Sequence, residues 1–179
     1  MSKDRTTIAL VQVSSVDNLR RAWEHVKRHW RKGRDPLHQR SPYSIFEREL
    51  EPELRRVSRD IRAGEYLFSP LTAHFVPNKD ATKERLICVP TMADRVVQRA
   101  VLDLLIRTKP KWLVNEISYG FVPGRGVQQA AQLATHHRKS QPWVFKTDIT
   151  KFFDNVDRSL LAAAVRRRIR HRSLHAVLD

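Results

Sequence analysis

Three stretches of the chain repeat apolar residues at spacings of three and four, a pattern typical of helices that bury one face. They run over residues 16–32, 44–63 and 91–107, and the outer face of the first is mostly basic. Their apolar stripes are Leu19, Ala22, Trp23, Val26 and Trp30; Phe46, Leu50, Leu54, Val57 and Ile61; and Val97, Ala100, Val101, Leu104 and Leu105. Gly64 is a predicted C-cap of the second helix.

Two short β-prone runs lie between the second and third helices. They are TAHFVP at 72–77 and RLICVP at 85–90, joined by the polar segment NKDATKE. This alternation predicts a β-hairpin with Lys83 and Arg85 near its tip or second strand. Directly after it, Thr91 and Asp94 have the Thr-x-x-Asp spacing of a capping box at a helix start.

The last third of the chain begins with a glycine-containing loop at 109–126. A helix with small residues on its packing face is predicted from Val127, followed by a strand at 143–149, WVFKTDI, and a helix at 157–170. Leu161, Val165 and Ile169 are expected to face inward in that helix, whose pattern continues toward the last residues. The order of these elements predicts an α+β fold.

Charge indicates the class of partner. Lysine and arginine number 34 against 19 acidic residues, a formal net charge of +15. An excess of this size is typical of proteins that bind a polyanion, and nucleic acid is the first candidate. No stretch approaches the roughly 20 apolar residues of a membrane-spanning helix, and the N-terminus lacks a signal-peptide core. We therefore expect a cytoplasmic protein with no membrane partner.

Metal-binding motifs of the zinc type are not present in the sequence. Cys88 is the single cysteine, which excludes a disulfide framework and Cys-x-x-Cys zinc sites. The eight histidines show no His-Glu-x-x-His spacing.

Three aspartates, Asp148, Asp154 and Asp157, lie in the stretch WVFKTDITKFFDNVD. Asp148 ends the predicted strand, where one carboxylate and a nearby carbonyl would make half of a Mg²⁺ site. Asp154 and Asp157 fit the N-cap position of the helix that follows. On spacing alone, a structural role is favoured over metal binding for each of the three.

Three blocks of the sequence resemble, in order, motifs of the reverse transcriptases of bacterial retroelements, especially the group II intron type. RLICVPTMADRVVQRAV is similar to that family's Arg-x-x-x-(Ile/Val)-Pro-Thr-x-x-Asp-Arg-x-x-Gln block. SYGFVPGRGVQQA resembles its Ser-Tyr-Gly-Phe-Arg-Pro-Gly-Arg block, and KTDITKFFDNVDR resembles its first catalytic aspartate motif. Val122 stands where group II enzymes usually have arginine, and the loop upstream of the hairpin lacks their Gly-x-Asp-Gly element.

The resemblance implies roles for several residues near the reaction. Asp148 would be one of two aspartates that hold two Mg²⁺ ions, with the Ile149 carbonyl contributing. Phe153, beside Phe152, would lie under the sugar and exclude a 2′-hydroxyl, with a core aromatic as the alternative. Arg85, assisted by Lys83, would bind the triphosphate of the incoming nucleotide.

Further residues match the family's nucleic-acid path. Arg95 and Gln98 would contact nucleic acid or form structural pairs, and both alternatives stay open. Ser118, Tyr119 and Arg125 match positions near the template and primer.

The family's second aspartate motif, Tyr/Phe-x-Asp-Asp, does not occur in this sequence. The chain is therefore expected to hold the N-terminal helices and fingers at 1–142 and the start of the palm at 143–179. It would be a truncated product, one half of a split gene or an incomplete sequence, inactive without a palm and thumb segment in cis or in trans. The whole enzyme would use an RNA template, a DNA or RNA primer and deoxynucleoside triphosphates. The alternatives are a non-catalytic RNA-binding or maturase-like module, and a decayed remnant that does not fold stably.

Overall fold

The computed structural model describes residues 3–31, 41–77, 84–108, 115–122, 124–150, 152–169 and 171–178. Its elements in chain order are α1 (Lys3–Ser14), α2 (Val16–Arg31), α3 (Pro42–Arg48), α4 (Leu50–Ala63), β1 (Thr72–Pro77), β2 (Glu84–Val89), α5 (Met92–Thr108), α6 (Val127–Arg138), α7 (Phe152–Asn155), α8 (Arg158–Arg168), a 3₁₀ turn (Arg172–Leu174) and α9 (His175–Leu178). Helices with one two-stranded sheet are compatible with the predicted α+β class. No helix in the described part of the chain has both the length and the hydrophobicity needed to span a bilayer.

The chain forms two compact units. The first contains Met1–Arg107 and Ile169–Asp179, and the second contains Thr108–Arg168. The first unit therefore takes in both ends of the chain, and the second is an insertion between them.

The core of the first unit is built on the predicted face of α2. Leu19, Ala22 and Trp23 are fully buried, and the Trp23 ring stacks on Tyr43 of α3 with 5.1 Å between ring centroids. Phe46 lies 5.0 Å from the same ring. From α4, the predicted stripe buries Leu54, Val57 and Ile61 completely. The helices α1 and α2 both pack against α4.

The single helix predicted at 44–63 is two helices, separated at Glu49. Pro52 explains the break, because it has no N–H to donate to the carbonyl four residues earlier and its ring crowds that carbonyl. The predicted C-cap is confirmed: Gly64 adopts φ 73° and its N–H donates to the Ile61 carbonyl at 3.1 Å. At the start of α3, the Ser41 hydroxyl accepts the Ser44 N–H at 3.2 Å.

The predicted hairpin is present. The strands β1 and β2 pair antiparallel, with Thr72 opposite Val89 and Pro77 opposite Glu84. Every residue of β1 is exposed, and in β2 only Ile87 and Val89 are half-buried. The following helix, α5, buries its predicted stripe through residues such as Val97, Ala100 and Leu104.

The strand predicted at 143–149 is wrong: residues 141–149 lie in no helix or strand. Trp143 and Phe145 are 91% and 90% exposed. A strand persists when a neighbouring strand satisfies its backbone groups. Within the described residues, the sheet contains β1 and β2 alone, and neither pairs with this segment.

The predicted inward face of the last long helix is also wrong in part. Leu161 is exposed on α8, which ends at Arg168, and α8 has no buried residue within its described part. Ile169 is buried, but it belongs to the first unit together with the buried Leu174 and Val177. After α8, the 3₁₀ turn packs against α1.

Candidate functional site

The hairpin presents one of the predicted nucleotide-binding residues. Arg85 lies in β2 opposite Val76, and its side chain is exposed. Lys83, its predicted helper, lies outside the described residues. The long guanidinium side chain is therefore available to an anionic ligand from a surface strand.

At the base of the hairpin, Asp94 is the buried centre of a hydrogen-bond cluster. Its side chain is 1% exposed, and its carboxylate accepts the Tyr66 hydroxyl at 2.7 Å, the Thr91 hydroxyl at 2.6 Å and the Ser69 N–H at 3.2 Å. The predicted cap is confirmed in that the Asp94 N–H donates to the Thr91 hydroxyl at 3.2 Å. Burial, and then the bond to Asp94, raise the pKa of Tyr66. Tyr66 therefore stays a hydrogen-bond donor at neutral pH.

The other predicted residues of α5 lie on its next turns. Arg95 is half-buried and Gln98 is exposed. One turn further on, Arg99 donates to His25 of α2 at 2.9 Å and pairs with Asp103 at 2.6 Å.

In the second unit, the structure brings three predicted residues together. Arg125 Nη1 donates to the carbonyls of Asn115, Glu116 and Ser118 at 2.7, 3.1 and 2.9 Å. The same guanidinium lies over the Tyr119 ring, 5.8 Å from its centroid. A cation near an aromatic face is attracted by the ring quadrupole. Arg125 thus holds the loop together and orients Tyr119.

Asn115 organises the same loop from its other side. Its Oδ1 accepts the Ile117 N–H at 3.1 Å and the Ser118 hydroxyl at 2.8 Å. Further along, Phe121 has φ 58° and a side chain fully exposed to solvent. A non-glycine residue in the left-handed region stores about 1 kcal/mol or more of strain. The loop therefore displays an aromatic ring from a strained backbone.

Asp148, the predicted catalytic aspartate, lies in the irregular segment before α7. Asp148 is exposed, and its Oδ1 accepts the N–H of Ile149 at 3.0 Å. Ile149 is exposed as well. In the described ranges, no three His, Cys, Asp or Glu side chains group into a metal site. Asp148 therefore offers one carboxylate, with its second oxygen available.

The other two aspartates of this stretch have different positions. Asp157 is the predicted N-cap: its Oδ1 accepts the N–H groups of Ser159 and Leu160 at 2.8 and 3.1 Å. Asp154 lies inside α7, so its predicted N-cap position is wrong. Its side chain, like that of Phe153, lies outside the described residues, whereas Phe152 begins α7 with a half-exposed ring.

Comparison with known proteins decides the family. Residues 76–173, more than half of the chain, match the family model described as reverse transcriptase (RNA-dependent DNA polymerase). The chain belongs to the reverse transcriptase family. The matched range contains the hairpin's second strand, α5, the Arg125 loop and Asp148.

Curated relatives agree with this family. Protein YkfC of Escherichia coli strain K12 is 32% identical over 133 residues, covering 70% of this chain and 34% of the relative. The group II intron-encoded protein LtrA of Lactococcus lactis is 23% identical over 120 residues, covering 67% of this chain and 20% of the relative. The predicted resemblance to group II intron-like reverse transcriptases is confirmed. The chain spans about a third and a fifth of these two relatives.

Reverse transcriptases generally work with divalent metal ions. An exposed carboxylate is a suitable hard oxygen ligand, and Asp148 fits in that respect. One carboxylate does not hold two cations, so a two-metal site would need ligands in addition to Asp148.

Sequence reasoning missed two organising residues of this reverse transcriptase chain. Asp94 was predicted as a cap, but its buried partner Tyr66 lies 28 residues earlier and shows no spacing signal. Asn115 had a usable signal, because asparagine three residues before serine at a loop start is typical of a side-chain-stabilised turn.

Proposed function

We propose that this chain carries the nucleotide-binding hairpin and the first catalytic aspartate of an RNA-directed DNA polymerase. The whole enzyme adds deoxynucleotides to a DNA or RNA primer on an RNA template. The observation that carries the proposal is Asp148, exposed within the matched range and preceding a Phe-Phe-Asp sequence. Because the chain spans about a third or less of its curated relatives, the activity is proposed for the enzyme as a whole.

Asp148 and the Ile149 carbonyl are the residues proposed to hold Mg²⁺. The bound ions would activate the primer hydroxyl and neutralise charge on the leaving pyrophosphate. The second carboxylate has to come from a palm segment in cis or in trans, which would also cover Trp143 and Phe145. We accordingly propose 1–142 as the fingers region and 143–179 as the start of the palm.

The incoming nucleotide would meet residues from two stretches of the chain. Arg85, with Lys83, is proposed to bind the triphosphate through charge-assisted hydrogen bonds. Phe152 and Phe153 are proposed to contact the sugar. The exposed position of Arg85 on β2 supports the first assignment.

Template and primer are proposed to pass the Arg125 loop. Arg125 bonds to three carbonyls, so its contribution is to hold the loop that presents Ser118 and Tyr119. Arg95 and Gln98 on α5 are proposed as further nucleic-acid contacts. Aromatic rings in such loops stack on bases without sequence preference.

The experiment is primer extension on an RNA template with Mg²⁺. We expect no synthesis by residues 1–179 alone and synthesis when a palm and thumb segment bearing Tyr-x-Asp-Asp is supplied. Robust extension by the chain alone would contradict the proposed need for that segment. The genomic sequence immediately downstream provides the cheaper check, since it should encode the second motif.

A matched pair of variants tests the aspartate. In the complemented enzyme, Asp148→Asn should abolish synthesis because the amide is a poor ligand for the metal. Asp157→Asn should leave synthesis intact, because asparagine caps a helix as well as aspartate does. Equal losses in both variants would refute a special role for Asp148.

A second candidate is an RNA-binding module without catalysis, and a groove on α4 favours it. The groove has a volume of about 530 Å³ and lies outside the family match. It is lined by Val16, Arg55, Ser58, Arg59, Arg62 and Ala63. Arg55 makes no hydrogen bond or ion pair with the described residues. Three arginines on one helix face suit the phosphates of RNA.

Salt dependence of RNA binding tests this candidate. Replacing Arg55 and Arg59 by alanine should weaken binding and lower the slope of log affinity against log salt by about 1 per lost contact. Arg20→Ala is the matched control, since Arg20 does not line the groove and, like Arg59 with Asp60, already pairs with an acid, Glu51. If Asp148→Asn leaves a cellular phenotype intact while the groove variants abolish it, the non-catalytic function is favoured.

A further inference from the structure

Both ends of the hairpin are tied to one carboxylate. β1 begins three residues after Ser69, and β2 ends two residues before Thr91. Ser69 and Thr91 each donate to Oδ2 of Asp94, at 3.2 and 2.6 Å. The polypeptide therefore enters and leaves the hairpin at the first turn of α5.

The carboxylate and its tyrosine partner are buried, whereas Ser69 and Thr91, the residues next to the hairpin, are exposed. Tyr66, 6% exposed, donates to Oδ1, and Asp94 itself is 1% exposed. A buried carboxylate with several donors makes strong, geometrically specific hydrogen bonds. Such a cluster fixes the directions of the groups that it joins.

The hairpin itself has little packing that could set its direction. All of β1 is exposed, and its pairing with β2 holds the two strands to each other. A two-stranded hairpin alone is marginally stable in water. Its orientation therefore depends on its base.

We propose that Asp94 is a positioning residue that fixes the hairpin on α5 and thereby aims Arg85. Arg85 lies six positions before Thr91, a lever of about 20 Å in extended chain. A rotation of about 10° at the base would move Arg85 by roughly 3 Å, enough to break a productive contact. The aiming of Arg85 rests on the proposed function, whereas the anchoring of the hairpin does not.

Cys88 provides the measurement. It is the single cysteine of the sequence, it is exposed, and it lies in β2. A nitroxide label at this thiol reports hairpin motion through its spectral line width. Circular dichroism of the same samples shows whether each variant is folded.

The variants remove the cluster stepwise. Asp94→Ala should sharpen the label spectrum most. Tyr66→Phe, which deletes one donor, and Thr91→Val, which deletes one donor and the acceptor of the Asp94 N–H, should sharpen it less. Asp103→Ala is the matched control, because Asp103 lies on the same helix and pairs with Arg99. If Asp94→Ala does not fold, the two single-donor variants decide.

Unchanged spectra in folded Tyr66→Phe and Thr91→Val proteins would overturn the proposal. The same sharpening in Asp103→Ala would also overturn it, since loosening would then be general to α5. Sharpening confined to the cluster variants supports it.

Nucleotide affinity separates this proposal from the function on which it partly rests. Tyr66→Phe should weaken binding of a deoxynucleoside triphosphate by about threefold or more, and add little to Arg85→Ala. Additive losses would contradict the link from Asp94 to Arg85. If Arg85→Ala alone leaves affinity unchanged, the proposed function of the hairpin fails, and the label spectra still decide the anchoring.

Discussion

Asp157 shows how a single side chain starts a helix in this protein. Its Oδ1 accepts the Ser159 hydroxyl at 2.6 Å as well as two backbone N–H groups. The hydroxyl bond, followed by the Leu160 N–H, lowers the pKa of Asp157. The cap therefore stabilises α8 above the unfolded pKa of about 3.9 and is lost as the pH falls through the lowered folded value.

Asp157→Ala should reduce helicity near neutral pH because two N–H groups of α8 lose their acceptor. Asp157→Ser should retain most of the signal, since serine also caps. Far-UV circular dichroism from neutral to strongly acidic pH measures both, and the difference between wild type and Asp157→Ala should shrink at the acidic end. Equal ellipticity at neutral pH would contradict the cap.

Gly64 ends α4 in the left-handed backbone conformation, which residues with a side chain rarely adopt. At φ 73°, Gly64→Ala should lower the free energy of unfolding by about 1 kcal/mol, although the space around it is open. Gly120 is the control, because a methyl group added there would meet no atom within 4 Å and its φ is not in the strained range. Urea unfolding should show Gly120→Ala within about 0.5 kcal/mol of wild type.

For single residues, the sequence predicts the roles that depend on residues nearby in the chain. The cap at Asp157 and the turn at Gly64 follow from residues within four positions, and both are confirmed. Asp94 was predicted as a cap, but its partner Tyr66 comes from another part of the fold. Burial of a polar group is set by tertiary packing, which local spacing does not encode.

Among the elements, α2 and α3 meet through one aromatic cluster. Trp23 is fully buried against Tyr43 and Phe46. Trp23→Ala should therefore cost about 3–5 kcal/mol of unfolding free energy through lost contacts and a cavity.

The chain contains its own control for that substitution. Trp143 is 91% exposed, so Trp143→Ala should change the unfolding free energy by less than about 0.5 kcal/mol. Chemical denaturation followed by circular dichroism measures both. Similar losses in the two variants would show that Trp23 is not the centre of the core.

His25 links α2 to α5, and we expect this contact to depend on pH. His25 accepts from Arg99, stacks on His29 at 4.3 Å, and has Asp103 and Arg28 nearby. Burial, followed by the charge of Arg99, lowers the pKa of His25. The unfolded chain therefore binds a proton more readily, and the free energy of unfolding decreases as the pH falls below about 6.5.

Urea unfolding about one pH unit above and one below that value measures this decrease. His25→Gln should show a smaller difference between the two pH values, because glutamine accepts from Arg99 without titrating. Identical pH dependence in wild type and variant would assign the effect to other histidines.

Helices and strands were predicted correctly where the residues within the element itself determine its conformation. Apolar periodicity located α2, α4 and α5, and alternation located the hairpin. The break before α4 was missed because the apolar stripe continues through Pro52. The strand at 143–149 was wrong because a β conformation is stabilised by a partner, and composition does not show whether one is present.

For the whole molecule, the fold class and the family could be predicted from motifs that occur in the family's order. The division into two units could not. The family match and the α+β content agree with the prediction. The return of Ile169, Leu174 and Val177 to the first unit had no sequence signal, since these residues continue a helical pattern.

Because the last residues of the chain belong to the first unit, a cut in the second unit should leave the two parts of the first unit bound to each other. The segment after α6 is exposed at Ser140 and Gln141, and the chain after α8 is held by the 3₁₀ turn on α1. A protease site inserted at 140–141 should therefore yield two polypeptides that elute together on size exclusion and separate in urea. Separation without denaturant would contradict the packing of the turn on α1. If the pieces stay together, two genes that encode them should reconstitute the folded protein. A continuous peptide chain through the second unit would then not be needed to hold the two parts of the first unit together.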